Sequence, residues 1–171
     1  MDLAERMIRA LQRTFVLAAL AVFAALLIGA ASSPAHASEH TFSNGGVTVW
    51  VPGKWSVKNA KVFRATPPSK VAFVTVEVTG EPSLGRAKSR FSKLVTKYVG
   101  RPKLRDVESL RVGTFEAYRA SGTGHMDGMP VRFEAYIYGV GDKVLMGIGF
   151  APSAVQPRYA SAIRRILGSI R

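Results

Sequence analysis

The side chains that most often carry catalysis are scarce in this sequence. It contains no cysteine and three histidines, of which His40 and His125 follow the first 37 residues. Ser121, His125 and Asp127 have the residue types of a nucleophilic hydrolase, but they surround a glycine-rich turn. A hydrolase triad is normally assembled from distant elements, and such local clustering is common by chance. We therefore expect a protein that is not an enzyme.

A set of nitrogen ligands depends on how the chain is processed. Cleavage after Ala37 would make Ser38, Glu39 and His40 the new N-terminus. A free α-amine, two backbone amide nitrogens and an imidazole at the third residue can form a square-planar set, which suits Cu(II) or Ni(II). Histidine also occurs at this position by accident, so the metal site is a secondary hypothesis. We otherwise predict no cofactor.

Positive charge is the strongest chemical feature of the chain. Residues 86–105 include eight basic side chains and no acidic one. Arg86, Arg90, Lys93 and Lys97 recur at spacings of four, three and four residues, so on a helix they form a continuous band beside the buried stripe. We call these four residues the basic ridge. The ridge predicts a binding surface for an anionic partner, and the alternative is a merely solvated helix face.

The first 37 residues have the organisation of an export signal. Arg6, Arg9 and Arg13 give the segment a positive start, and residues 15–31 are then uncharged and almost wholly apolar. Ala35 and Ala37 occupy the positions that a signal peptidase reads. We predict a signal peptide over residues 1–37, with an uncleaved N-terminal anchor as the alternative. Either case places the remaining chain outside the cytoplasm, in the periplasm or secreted.

The chain after the leader keeps a strong excess of positive charge. The leader holds three of the 24 basic and two of the 11 acidic residues, which leaves 21 and nine. This imbalance predicts an anionic envelope component or an acidic protein surface as partner. Export argues against nucleic acid, and membrane contact through the ridge or an uncleaved leader agrees with the charge. Glu77, Glu116 and Glu134 lie on predicted outward strand faces, where nearby Arg or Lys would pair with them.

Apolar periodicity predicts the elements that position the ridge. Ser83 caps a helix that ends near Gly100 and Pro102, a last helix begins near Pro157, and residues 38–46 are a polar lead-in. The predicted strands are residues 47–51, 55–58, 61–66, 71–79, 111–121, 129–138 and 143–150. Residues 38–171 therefore form a single α+β domain, with an antiparallel sheet of about six strands flanked by helices in the order β-β-β-α-β-β-β-α.

Several segments of this layout resemble the PsbP-like family. They are residues 46–52 with Trp55, residues 113–117, the turn at residues 141–143, and Tyr159 with residues 163–170. The family includes extrinsic photosystem II subunits and small exported bacterial proteins, among them DcrB-like envelope proteins. The resemblance covers residues 45–171 and lies in pattern and order. It implies a PsbP-like fold and a non-catalytic accessory or binding protein outside the cytoplasm, and it transfers no functional residue.

Three functional hypotheses follow from the sequence. The first is an exported, non-catalytic binding or accessory protein of the cell envelope that meets an anionic partner through the basic ridge. The second is a small-ligand carrier or cryptic enzyme with a pocket between sheet and helix. The third is a protein that binds copper or nickel at its mature N-terminus.

Overall fold

The computed structural model describes residues 37–105 and 107–171, so the predicted signal peptide lies outside the described residues apart from Ala37. No helix in these two ranges has the length and apolar character needed to cross a membrane. In chain order the elements are β1 (Ser38–Phe42), β2 (Val47–Val51), β3 (Ser56–Asn59), β4 (Phe63–Thr66), β5 (Phe73–Val78), α1 (Leu84–Ser89), α2 (Phe91–Thr96), β6 (Gly100–Leu104), β7 (Glu108–Val112), β8 (Phe115–Met126), β9 (Met129–Val140), β10 (Lys143–Pro152) and α3 (Gln156–Leu167).

The centre of the molecule is an eight-stranded antiparallel sheet in the order β3-β4-β5-β10-β9-β8-β6, with β7 also paired to β8. Its three longest strands, β8, β9 and β10, form the predicted antiparallel meander. Met126 pairs with Met129 across a two-residue turn in which Asp127 and Gly128 both have positive φ. A turn of this type matches the twist of the flanking strands, so the hairpin follows from its local sequence.

Both faces of the sheet are covered. On one face, α1 and α2 pack Phe91 and Val95 into a cluster with side chains such as Phe133 of β9. On the other, α3 packs Ile163 and Ile166 into a second cluster, together with the valines of the β1–β2 ribbon. The result is three layers, which confirms the predicted α+β class with helices against an antiparallel sheet.

The first strands differ from the prediction. Residues 38–46 were expected to be a polar lead-in, but residues 38–42 form β1, because Phe42 is fully buried and fixes the segment against the core. β1 pairs with β2 in a separate two-stranded ribbon, so β2 does not belong to the central sheet. The central sheet nevertheless has eight strands in the described residues, more than the expected number of about six.

The segment around the ridge also differs from the single predicted helix. It breaks at Arg90, whose backbone (φ −112°, ψ 14°) ends α1 and begins α2. The Ser89 hydroxyl donates to the carbonyl of Arg86 and competes with the helical ladder at that point. Gly100 and Pro102 do follow the helix, but they lie in β6. β6 pairs with β8, and Pro102 lies where the register of this pairing shifts, between Gly100 and Lys103.

The predicted strand over residues 111–121 is two strands. β7 ends at Val112 and β8 begins at Phe115, and the turn between them places Gly113 at φ +58°. Glycine adopts that left-handed conformation without steric cost, so Gly113 ends the first strand. The last helix forms where Pro157 indicated, with Ile163, Ile166 and Leu167 buried.

Candidate anion-binding surface

The basic ridge lies on the outer side of the α1–α2 layer. Ser83 caps α1 as predicted, because its hydroxyl accepts a hydrogen bond from the Arg86 backbone at 3.2 Å. Ala87, Phe91 and Val95 form the buried stripe against the sheet. Arg86 lies in α1, Lys93 in α2, and Arg90 and Lys97 at the ends of these helices, so all four residues share one layer.

Lys97 is held by a carboxylate of the sheet. Its ammonium donates to both oxygens of Glu77, at 2.7 and 2.6 Å. Glu77 lies in β5 and is only 9% exposed. Burial and the neighbouring Glu77 carboxylate raise the pKa of Tyr98 above its ordinary value, which keeps this phenol protonated. The pairing fixes the end of the ridge and neutralises part of its charge.

Arg90 is also paired, whereas the other two ridge residues are not. Arg90 contacts Glu81 at 2.9 Å, and the Glu81 side chain is only 8% exposed. Arg86 and Lys93 are exposed, and neither forms a salt bridge with any residue in the described part of the chain. The ridge therefore consists of two anchored cations and two cations available to a partner.

A shallow groove of about 750 Å³ runs along this layer, lined by Ser89, Arg90, Ser92, Lys93, Thr96 and Lys97. The hydroxyls of Ser89 and Thr96 donate to backbone carbonyls one turn earlier. Charge-assisted hydrogen bonds to an anion would thus come mainly from the cations. Lys88 extends the positive surface toward the sheet, where its ammonium lies 4.5 Å from the centre of the Tyr118 ring.

The structure does not bring Ser121, His125 and Asp127 together. Ser121 and His125 are four residues apart on the extended strand β8, a separation of about 13 Å. His125 is exposed at the end of that strand and Asp127 lies in the following turn. No proton can pass directly between side chains at that spacing, so the three residues cannot act as a triad in this arrangement.

The proposed Cu(II) or Ni(II) ligands lie in β1. Ser38, Glu39 and His40 are extended and paired with Val51, Trp50 and Val49 of β2, and the His40 Nε2 lies 2.8 Å from the Ser38 hydroxyl. A square-planar set requires the amide nitrogens of Glu39 and His40 to converge on one ion, so metal binding would compete with this pairing. No group of three or more metal-ligating side chains occurs among residues 37–105 and 107–171. The metal site stays a prediction.

A second positive region, which sequence reasoning missed, lies between the sheet and α3. Ser121 and Thr123 of β8 are directly opposite Glu134 and Arg132 of β9, and these side chains share a face because they are two residues apart on each strand. They line a cleft of about 170 Å³ together with Arg105, Gln156 and Arg164. We call it the arginine cleft, after Arg105, Arg132 and Arg164.

Glu134 is the acidic group of the arginine cleft, and it is only 8% exposed. Its Oε1 lies 3.5 Å from the Nε of Arg164, and burial raises the pKa of this carboxyl, although Arg164 and Arg119 oppose the shift. Burial raises the pKa of Tyr136, two residues further along β9, and the neighbouring Arg119 guanidinium opposes the rise.

The expectation that Glu77 and Glu134 lie on outward strand faces is wrong, although both pair with a basic residue as expected. Helices cover both faces of the sheet, so the polar face of β9 is buried under α3. The sequence held one signal of this burial. Tyr136 and Tyr138 follow Arg132 and Glu134 on the same face of the strand, and large aromatic side chains usually indicate that a face is covered.

The fold, unlike the sequence, is similar to those of known proteins. No protein-family model and no curated protein matches the sequence. The three-layer structure nevertheless has a PsbP-like fold, as the sequence pattern implied. The solution structure of cyanobacterial PsbP from Synechocystis sp. PCC 6803 is similar to it with a TM-score of 0.62 and 11% identity, over 82% of this chain and 95% of that chain.

Two further solved structures share the fold. A protein of unknown function from Pseudomonas aeruginosa has a TM-score of 0.52 and 14% identity, over 78% of this chain and 95% of that chain. A protein from Bacteroides thetaiotaomicron has a TM-score of 0.52 and 12% identity, over 77% of this chain and 47% of that chain. At such identities the similarity establishes the fold, and activity must be argued from the residues.

Proposed function

We propose that this chain is an exported, non-catalytic accessory protein that binds an anionic component of the cell envelope through its basic ridge. The proposal rests on one observation: two of the ridge cations are paired with carboxylates and the other two are not. Glu77 and Glu81 anchor Lys97 and Arg90, while Arg86 and Lys93 are exposed without a salt bridge to any described residue. Anchored cations define the shape of the surface and unpaired ones provide its attraction.

The proposed location outside the cytoplasm rests on the leader and on the fold. Among the described residues, strand structure begins at Ser38, directly after the predicted cleavage site at Ala37. The sequence has no cysteine, so folding does not depend on the redox state of the compartment. The PsbP-like resemblance carries the same implication, because the family includes exported bacterial proteins.

The chemistry of the ridge favours a repeating anionic surface over a single small ion. Its groove is shallow, its cations lie on two successive helices, and no buried side chain closes it. Such a site gains from many weak contacts, each worth about 1 kcal/mol per basic residue near an anionic lipid surface. Phospholipid headgroups and anionic envelope polymers both present this charge pattern, and an acidic protein surface is the alternative.

Co-sedimentation with vesicles of phosphatidylglycerol and phosphatidylcholine tests the proposal. Reversal of all four ridge charges is unsuitable, because a glutamate at position 97 would face the buried Glu77. The ridge double variant, Arg86→Glu with Lys93→Glu, leaves both anchors in place. We expect it to weaken binding by roughly 2–4 kcal/mol, since two attractions become repulsions.

A matched control separates the ridge from net charge. The control double variant, Lys54→Glu with Lys58→Glu, makes the same charge change at exposed positions in the β2–β3 turn and β3. It should bind nearly as the unmodified protein does, and pure phosphatidylcholine vesicles should bind none of the proteins. Equal losses in both double variants would contradict the proposal, because the attraction would then belong to the whole charge and not to the ridge.

A further inference from the structure

The arginine cleft differs from a solvated surface because its charges do not cancel. Arg105, Arg132 and Arg164 contribute three guanidinium groups, and Glu134 contributes one carboxylate. The nearby Arg119 is paired with Glu108 at 2.8 Å. The cleft therefore carries a net charge of about +2 within a partly enclosed space, where electrostatic attraction is stronger than in bulk water.

Glu134 is a buried carboxylate that lines the cleft. Its Oε2 is buried and has no hydrogen-bond partner within the described part of the chain. A buried carboxylate oxygen without a donor has lost its hydration without compensation, which is unfavourable. Arg164 contacts the other oxygen at 3.5 Å, beyond the usual range of a strong charge-assisted hydrogen bond. Oε2 is closed to groups the size of water, so Oε1, which Arg164 contacts only weakly, is the oxygen of this cleft-lining carboxylate that a ligand hydroxyl would reach.

The size of the cleft limits that ligand. Its volume of about 170 Å³ is below the roughly 300 Å³ at which pockets for drug-sized molecules begin. It suits one phosphate group and a short attached chain. A phosphate monoester carries a charge of about −1.5 to −2 at neutral pH, which matches the surplus of the arginines. The Ser121 and Thr123 hydroxyls and the Gln156 amide add polar groups of neutral charge.

We propose that the arginine cleft binds a small hydroxylated phosphate monoester, with Arg105, Arg132 and Arg164 around the phosphate and Glu134 accepting a hydrogen bond from the hydroxyl group. The site is separate from the basic ridge, which lies on the opposite face of the sheet. The same chemistry occurs in a soluble ester and in a lysophospholipid headgroup.

Calorimetric titration with glycerol 3-phosphate tests the site directly. We expect saturable binding to the unmodified protein that weakens at least about tenfold in Arg132→Gln, the loss typical of one charge-assisted hydrogen bond. Lys54→Gln makes the same charge change at an exposed position outside both charged regions and should leave this binding unchanged. Equal weakening in both variants, or no saturable binding at millimolar concentrations, would overturn the site.

Propyl phosphate tests the role of Glu134, because it has the same length and no hydroxyl group. The unmodified protein should prefer glycerol 3-phosphate by about tenfold, and Glu134→Leu should lose that preference, since the acceptor is gone. An unchanged preference in the variant would contradict the assignment. Lysophosphatidate distinguishes the two ligand sources, because tighter binding than glycerol 3-phosphate identifies a lipid headgroup and weaker binding identifies a soluble ester.

A nuclear magnetic resonance titration of the unmodified protein does not depend on the folding of any variant. Glycerol 3-phosphate should shift the amide signals of Ser121, Thr123 and Arg132, together with that of Arg105. Shifts confined to residues 86–97 would overturn the cleft while leaving the ridge proposal intact. Conversely, the ridge double variant should lose vesicle binding and still bind glycerol 3-phosphate. That result would show that the cleft binds its ligand independently of the ridge.

Discussion

The basic ridge and the arginine cleft lie on opposite faces of one sheet and use similar side chains in different ways. On the ridge, carboxylates at the base of the layer hold Arg90 and Lys97, and the other two cations extend into solvent. In the cleft, the acidic group is itself buried and lines one space together with three arginines. The same charge therefore gives an extended, open surface on one side and a small, partly enclosed site on the other.

Enclosure determines what each region can recognise. Exposed cations are screened by salt over a Debye length of about 8 Å at physiological ionic strength, so the ridge attracts many anions without reading their shape. The arginines of the cleft are exposed as well, but its carboxylate is buried, so the cleft penalises a ligand that leaves this acceptor unpaired. The ridge suits attachment and the cleft suits selection.

The largest expected loss of stability comes from truncating the buried side chain that holds the ridge helices on the sheet. Phe91 is 2% exposed and joins α2 to the sheet, so Phe91→Ala should lower the free energy of unfolding by about 3–5 kcal/mol. Leu94→Ala, at a half-buried position of the same helix, is the control and should cost clearly less. Urea titration of both variants measures the difference, and equal costs would mean that the ridge layer is not anchored through Phe91.

Replacing glycine by alanine should have a smaller effect on stability, and the effect should be opposite on the two faces of the sheet. A Cβ at Gly149 of β10 would overlap the Cγ2 of Ile163 in α3, so Gly149→Ala should destabilise the fold by about 1–3 kcal/mol and disturb the cleft side. Gly85 in α1 has open space around it, so Gly85→Ala should stabilise by about 0.5–1 kcal/mol. Thermal unfolding measures both, and shifts of the same sign would contradict the close packing of α3 on β10.

The smallest expected effect is a pH dependence specific to the cleft. The folded pKa of Glu134 is raised above its ordinary value of 4.5, so the folded chain binds more protons than the unfolded chain between the two values. The free energy of unfolding should therefore fall as pH rises through that window, and the cost should persist above it. Glu134→Gln should remove this component.

Urea titrations across the acidic to neutral range provide the measurement for Glu134. Glu116→Gln is the matched control, because Glu116 is exposed on the neighbouring strand β8. It should keep the pH profile of the unmodified protein. A profile that is the same in Glu134→Gln and the unmodified protein would show that burial of this carboxyl does not affect stability.

Local sequence signals predicted the parts of the fold that depend on local rules. The Ser83 cap, the turn at Asp127 and Gly128, and the helix near Pro157 each follow from residues within one turn. Tertiary effects decided the rest. The strand β1 exists because Phe42 reaches the core. The helix breaks at Arg90, where the Ser89 hydroxyl donates to the Arg86 carbonyl and Glu81 binds the Arg90 side chain.

The same difference between local and tertiary effects explains why the sequence predicted the ridge and not the cleft. The ridge was readable because its spacing is helical and its members lie within twelve residues. The cleft combines Arg105, directly after β6, with Arg132 of β9 and Arg164 of α3. Only the pairing of the chain with β8, the pairing of β8 with β9 and the packing of α3 bring these distant residues together. Sequence periodicity assigns a residue to a face, but it does not show which element covers that face.

The salt dependence of vesicle binding tests the central claim most directly, because it counts the ionic contacts that the ridge makes. For phosphatidylglycerol-containing vesicles, the logarithm of the dissociation constant should rise steeply with the logarithm of salt concentration for the unmodified protein and for the control double variant. It should rise much less steeply for the ridge double variant. The same steep dependence in all three proteins would contradict a partner-binding role for Arg86 and Lys93.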